Sequence, residues 1–353
     1  MKDNTYKRSV VPSAILIGLL IIILPLSLDP FRLNLMGKYL AFAFVAIGIV
    51  LTWGYGGILS LGQGVFFGLG GYMMAMFLKL EASAPELPDF MVWSSVEYLP
   101  TWWIPFKSLG LTVLGILVIP PALAYLFSYA IFRRRVSGVY FAIVTLALAL
   151  TLTVIVIGQQ GDTGGANGIT DFRTLLGMDI TADNSLRVLY FIEVSILAVV
   201  MLLSLALTHS RFGKILIAIR DREDRVRFSG YDTAHMKAFV FACGAVLASI
   251  GGAFFTLQVG LIAPSVIGVV ASVEMVIYAA VGGRISVPGA VVGTLVIGFL
   301  KSYLSEAFPE GWLYFLGAVF IIVVGIMPGG LAGLLEQYTG KYRRKITDGI
   351  LNH

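Results

Sequence analysis

The sequence predicts an all-α polytopic membrane protein of about ten transmembrane helices, with both termini in the cytoplasm. Three observations predict it. Only 13% of the 353 residues are charged and 58% are hydrophobic, whereas soluble domains carry about 25% charged residues. Apolar windows long enough to cross a bilayer recur along the whole chain. The basic residues collect in alternate connections between those windows.

The windows fall near 10–28, 36–53, 57–78, 109–132, 138–157, 187–207, 238–260, 268–281, 287–304 and 312–330. The first follows a positive start, "MKDNTYKRS". Its apolar run of about 20 residues, with no A-x-A cleavage site after it, reads as a span rather than a signal peptide. The third is rich in glycine. Gly57, Ser60, Gly64, Gly68, Gly71 and Ala75 fall at steps of three and four, so on a helix they share one face. A face without side chains lets a neighbouring helix approach closely in lipid. Helix packing and lining of a polar path both fit it, and Ser60 and Gln63 need partners or water. In the fourth window Pro120-Pro121 removes two backbone donors and is expected to kink or break the helix. The sixth and eighth carry the acids Glu193 and Glu274, and the eighth is short. An intramembrane acid normally faces the bundle interior or a wet cavity. Gln258 is a further polar group near the outer end of the seventh.

Alternating sides from a cytoplasmic N-terminus places 18 lysines and arginines inside and 6 outside, with Lys301 within a span. The inside set includes Lys2, Lys7, Arg8, the Arg133–Arg135 run, seven residues between Arg211 and Lys237, Arg284, Lys341 and Arg343–Lys345. The outside set is Arg32, Lys38, Lys79, Lys107, Arg173 and Arg187. This asymmetry supports the count and the orientation, and it accounts for the net charge of +5 without nucleic acid. The whole of 1–353 reads as one transmembrane domain, with cytoplasmic segments at 1–9, 208–237 and 336–353. An acidic and aromatic outer loop, "PELPDFMVWSSVEYLPTWWIPF", suits a membrane interface. "GGILSLGQGVFFG" (Gly56–Gly68) matches "GGRISVPGAVVG" (Gly282–Gly293), a short repeat entering two spans in the same direction.

Familiar chemistry is absent. Each Gly-Lys pair, at 37–38, 213–214 and 340–341, is followed by Tyr, Ile or Tyr, so there is no phosphate-binding G-x-x-x-x-G-K-[ST] loop. Three histidines and the single Cys243 give no metal-ligand spacing, and Cys243 reads as a buried small hydrophobe. No paired-carboxylate or serine-nucleophile pattern appears, so the chain is not expected to be an enzyme or to hold a cofactor or metal.

The inner loop "SRFGKILIAIRDREDRVRFSGYDTAHMKAF" is too charged for the membrane. Asp221–Arg225 and Glu223–Arg227 are i,i+4 pairs with the acid first, and Gly230 is placed to end the helix. A helix near 218–229 on the cytoplasmic face is expected, held by anionic lipid or docked on a cytoplasmic partner.

At this loop the chain resembles the permease subunits of bacterial ABC importers, in the branched-chain amino acid and urea family. The matching segments run in order: "GYGGILSLGQGVFFGLGGY", "SGVYFAIVTLALA", "GQQGDTGGANGI", "SRFGKILIAIRDREDRVRFSGYD", "GGAFFTLQVGLIAPS", "VGGRISVPGAVVGT" and "IMPGGLAGLL". The outer loop "LPDFMVWSSVEYLPTWWIPF", "RVRFSGYD" and "SEAFPEGWLYFLGA" look most like the urea branch. The resemblance implies partners: a second homologous permease, two cytoplasmic ATPase subunits carrying ATP and magnesium, and a periplasmic substrate-binding protein, in a bacterial inner membrane. It implies that 212–230, with Arg220, Asp221, Glu223, Arg225, Arg227 and Gly230, seats on an ATPase. A small neutral solute needs donors and acceptors, which Ser60, Gln63, Gly64, Thr163, Asn167 and Gln258 can supply. Branched-chain amino acids are the alternative cargo. A secondary transporter or channel using Glu193 or Glu274, and an intramembrane enzyme, are the readings from other classes.

Overall fold

A computed structural model describes residues 2–327 and 329–334. The expected tail 336–353, with Lys341 and Arg343–Lys345, lies outside the described residues. Among the described residues, eight helices are long and apolar enough to cross a bilayer: α1 (Val10–Ser27), α2 (Pro30–Tyr55), α3 (Gln63–Ser83), α4 (Leu109–Arg133), α5 (Val139–Gly158), α6 (Asp183–His209), α8 (Thr233–Val259) and α10 (Val287–Ala307). The amphipathic α7 (Arg211–Phe228) lies between α6 and α8. Two shorter apolar helices, α9 (Val269–Gly282) and α11 (Trp312–Ile326), take the places of the expected eighth and tenth spans. The chain is therefore an all-α polytopic membrane protein, and its strands among the described residues are two-residue ladders.

α8 is the central helix, and α2, α3 and α4 pack around it. Small residues permit the close approach. Gly48 of α2 faces Gly244 of α8, where an added methyl would sit 2.9 Å from the Gly244 carbonyl oxygen. The Cα of Gly252 lies against the Phe67 carbonyl of α3. Aromatic rings fill the remaining space: Phe42 stacks on Phe67 at 5.0 Å, and Phe255 meets both edge-on.

The proline pair does not break α4. The helix is continuous through Pro120 and Pro121. Pro120 cannot donate to the carbonyl four residues earlier, on Ile116. The hydroxyl of Ser249 on α8 donates to that carbonyl at 2.9 Å instead. A tertiary contact thus repairs the hydrogen bond that the local sequence removes, as the lipid phase requires.

The third span starts later than its apolar window. Residues 57–62 are not helical, and α3 begins at Gln63. At the other end of the fold, α8 stops at Gly260, which has φ +70°. An extended stretch follows, in which Leu261 and Ile262 pair with Thr170 and Ile169 of the connection after α5. α9 then begins. Its 14 residues span about 21 Å, less than the ~30 Å hydrocarbon layer. The connection between α8 and α9 is therefore partly extended, with Ile262, Pro264 and Ile267 buried against the rest of the fold and Ser265 exposed; irregular backbone at membrane depth is tolerated where protein buries it.

The repeat noticed in the sequence has a structural counterpart. Gly57 and Gly283 both have positive φ, at +69° and +117°. Ser60 accepts a bond from the Gly62 amide at 3.3 Å, and Ser286 from the Gly289 amide at 3.1 Å. Both turns lead into helices, α3 and α10, and the two turns touch where the Arg284 carbonyl meets Gly54. The aromatic outer loop divides its rings: Trp103 is fully buried, whereas Trp93 and Tyr98 are more than 80% exposed.

Candidate functional site

The basic side of the molecule is built around α7. Its first turn is capped by Ser210, whose hydroxyl oxygen accepts from the Gly213 amide at 3.3 Å. Gly213, Leu216 and Ile219 then face inward and are buried. That cap and that apolar spacing start the helix seven residues before the expected 218. The helix bends at Arg222, which has φ −152° and ψ 74°. The bend removes the expected Asp221–Arg225 pair, because i,i+4 partners meet only on continuous helix. Asp221 pairs with Arg220 at 3.0 Å instead. Beyond the bend Glu223 does pair with Arg227, at 3.0 Å.

Glu223 has two further partners. Lys237 of α8 donates to it at 2.5 Å and the Thr233 hydroxyl at 3.1 Å. Burial alone would raise its carboxyl pKa, but the bond and charge of Lys237, with Thr233 and Arg227, outweigh it and hold the group below the ordinary value of 4.5. Glu223 therefore faces α8 inside the bend rather than outward. The outward face after the bend consists of Arg222, Asp224, Arg225 and Phe228, and Phe228 is 93% exposed. Gly230, with φ +87°, turns the chain in the left-handed region open to glycine. Asp232 then caps α8 through the Ala234 and His235 amides at 3.0 and 3.1 Å.

Above α7 lies the turn from Gly54 to Gly64. Gly57 and Ser60 were expected on one helical face with Gly64, Gly68 and Gly71. They do not lie on that helix. Gly57 adopts φ +69° against the Arg220 stem, a conformation outside the right-handed helix. The turn is held by hydroxyls from other helices. Thr145 of α5 accepts from the Leu61 amide at 3.1 Å, and Ser272 of α9 accepts from the Gly64 amide at 3.1 Å. Gly64 and Gly68 meet Ile267 and Ser272, while Gly71 meets Gly252 and Thr256 of α8. The thin face is thus filled by the chain's own elements. Ser60 and Gln63 are 3% and 1% exposed. Both amide atoms of the Gln63 side chain are buried and have no partner among the described residues.

Both intramembrane acids have a polar partner, but the Oε1 of Glu193 is buried with none among the described residues. Glu193 of α6 is fully buried and accepts from the Gln258 amide of α8 at 2.9 Å. Glu274 of α9 pairs with Lys301 of α10 at 2.6 Å and accepts from the Tyr278 hydroxyl at 2.5 Å. Lys38 of α2, expected in an outer loop, lies within the span and within electrostatic reach of both Glu274 and Lys301. Lys301 also sits over the Trp312 ring, 5.0 Å from its centre. Thr163 is buried, and its hydroxyl is turned to the Val156 and Gln159 carbonyls at 2.6 and 2.8 Å. Asn167, four residues on, is exposed.

The structure therefore groups Ser60, Gln63 and Gly64, and joins Glu193 to Gln258. All of these and Thr163 are buried, and no hydrogen bond among the described residues joins the two groups to each other or to Thr163. The roles of Thr145, Ser272 and Phe228 have no signal in one sequence, and Lys237, counted only among the inner basic residues, gives no sign that it pairs with Glu223. Sequence reasoning passed over Lys301 as a partner although the signal was present: an intramembrane lysine and an intramembrane glutamate in neighbouring spans.

Residues 31–324 match the family described as branched-chain amino acid transport system, permease component. Among curated relatives, the high-affinity branched-chain amino acid transport system permease protein LivM of Salmonella typhimurium is 24% identical over 312 residues, covering 82% of this chain and 67% of the relative. The LivH protein of Escherichia coli K12, of the same description, is 23% identical over 84% of this chain and 92% of its own. The ribose import permease protein RbsC of Haemophilus influenzae is 23% identical over 93% and 94%. No solved structure matches.

Proposed function

The chain belongs to the family of branched-chain amino acid transport system permease components, and from that premise we propose that it is the membrane subunit of an ATP-driven importer. In this reading it forms the translocation path with a second, related permease in a bacterial inner membrane. Two cytoplasmic ATPase subunits hydrolyse ATP, and a periplasmic protein delivers the solute. The observation that carries the reading is α7. It is the one amphipathic helix among the described residues set between two spans on the basic side, and it is anchored by an apolar inner face. It presents Arg222, Asp224, Arg225 and the exposed Phe228 away from the bundle. A secondary carrier has no need of such a helix.

The pairing of Glu274 speaks against that acid as the coupling group of a carrier. A proton-coupled carboxyl must exchange partners during transport. Glu274 is neutralised by Lys301.

We take urea as the solute. Its support is the sequence resemblance to the urea branch, together with neutral polar groups at the start of α3. Gln63 offers one amide donor group and one acceptor, a pattern complementary to urea. Its full burial means the site opens only when the Gly54–Gly64 turn moves. Branched-chain amino acids are the second reading, favoured by the names of the relatives. The test is uptake of labelled urea and labelled leucine by the reconstituted complex. ATP-dependent urea uptake, lost in Gln63→Leu in a correctly assembled complex, supports the proposal. Uptake of urea without ATPase subunits refutes the importer reading, and uptake of leucine alone moves the solute to the second reading.

A further inference from the structure

The family resemblance implies that Arg220 is among the residues that meet an ATPase. Its geometry is different. Its side chain is 29% exposed, and it turns inward from α7 rather than outward. The guanidinium donates through Nη1 to the Gly54 carbonyl at 2.5 Å, while Nε is held by Asp221 at 3.0 Å. The methylene stem covers Gly57, where an added methyl would come within 2.8 Å of it.

The acceptor is a carbonyl in need of a donor. α2 ends in a wide π turn over Val50–Tyr55. Helix ends leave their last carbonyls without intrahelical partners. The amides that follow bond to Leu51, Thr52 and Trp53, which leaves the Gly54 carbonyl without a backbone donor among the described residues. Arg220 supplies it from a different element.

Gly54 in turn touches the α9–α10 connection. Its Cα lies against the Arg284 carbonyl, and the neighbouring Tyr55 hydroxyl donates to the Ile285 carbonyl at 3.2 Å. Arg284 also sits over the Trp53 ring at 6.0 Å. Beyond Gly57 the same turn leads to Ser60 and Gln63. One guanidinium therefore links α7 to both glycine turns, the one that opens α3 and the one that opens α10.

We propose that Arg220 is the transmission residue of this subunit: it carries displacement of α7 into the Gly54–Gly64 turn and the 283–286 turn, and it does not contact the ATPase. The proposal rests on the reading of α7 as the ATPase-docking helix. The bend at Arg222 divides the labour. The segment beyond it, with Phe228, faces the partner and is tied to α8 by Glu223. The segment before it is fixed to the turns by Arg220. A bidentate grip through Asp221 and Gly54 suits a planar guanidinium and is poorly replaced by an ammonium.

The test uses the whole importer complex in proteoliposomes, with labelled urea and labelled leucine as probes. Arg220→Met and Arg220→Lys are compared with the unaltered complex for assembly, ATP hydrolysis and uptake per ATP. The expected result is normal assembly and continued ATP hydrolysis, with uptake per ATP at least tenfold lower in Arg220→Met and partly recovered in Arg220→Lys. Unchanged uptake per ATP overturns the proposal. So does parallel loss of assembly and hydrolysis, which marks Arg220 as a partner contact or a brace. An unaltered complex that takes up either probe without ATP overturns the importer reading itself, and the proposal with it.

Discussion

Replacing Lys301 with methionine tests what holds Glu274 in the membrane. The Glu274 side chain is 7% exposed and that of Lys301 is 33% exposed, with 2.6 Å between the charged atoms. At an effective dielectric near 20, unit charges about 4 Å apart attract by about 4 kcal/mol. Removing one partner of such a pair leaves the other charge buried and costs about 3–5 kcal/mol. Lys301 keeps part of its side chain in a shallow groove beside Trp312 and Leu316, and the Tyr278 hydroxyl still donates to Glu274. Both facts place Lys301→Met at the low end, about 3 kcal/mol. The double variant Lys301→Met, Glu274→Gln removes both charges and is expected within about 1 kcal/mol of the original. The assay is unfolding of the purified chain in mixed micelles by added denaturing detergent, run as a double-mutant cycle. A single-variant loss below about 1 kcal/mol, or a double variant no more stable than the single, refutes the reasoning. Uptake that persists in the double variant further excludes Glu274 as a coupling group.

Two other outcomes follow from particular contacts. Ser249→Ala leaves the Ile116 carbonyl without its donor and is expected to destabilise the chain by about 1 kcal/mol, the scale of one interhelical hydrogen bond in a membrane; the same detergent titration reads it, and no change means that Ile116 finds another donor. Glu223 has a depressed folded pKa, so its bonds to Lys237 and Arg227 are complete above the ordinary carboxyl value and are lost as pH falls through the depressed one. Proteolysis within 222–231 is therefore expected to be flat from pH 8 to about pH 5 and to rise only below about pH 4, while Glu223→Gln raises it at every pH; a midpoint near neutrality contradicts the pairing.

Several features were legible because they depend on local pattern. The spans follow from apolar length, and the capped helix before α8 follows from charge and glycine placement. Other features depended on contacts between distant residues. Gly57 and Ser60 have the spacing of a helical face, yet they form a turn, because Thr145, Ser272 and Arg220 supply bonds that hold the backbone out of the helix. Pro120 has the sequence of a break, yet α4 continues, because Ser249 satisfies the freed carbonyl. The Asp221–Arg225 pair has the right spacing and is absent, because the helix bends at the residue after Asp221.

The sequence by itself determined that this protein lies in a membrane, how many times its apolar segments recur, and which side is basic. Hydrophobic transfer and charge exclusion act on each segment alone, so composition suffices. Only the tertiary structure decided which polar residues are spent on the fold and which remain to act. Gln63 is left with a carboxamide unpaired among the described residues, Glu274 is neutralised, and the Arg220 guanidinium is turned into the glycine turn. A buried polar group takes its partner from wherever the chain brings one, and in a bundle that partner is commonly a hundred or more residues away.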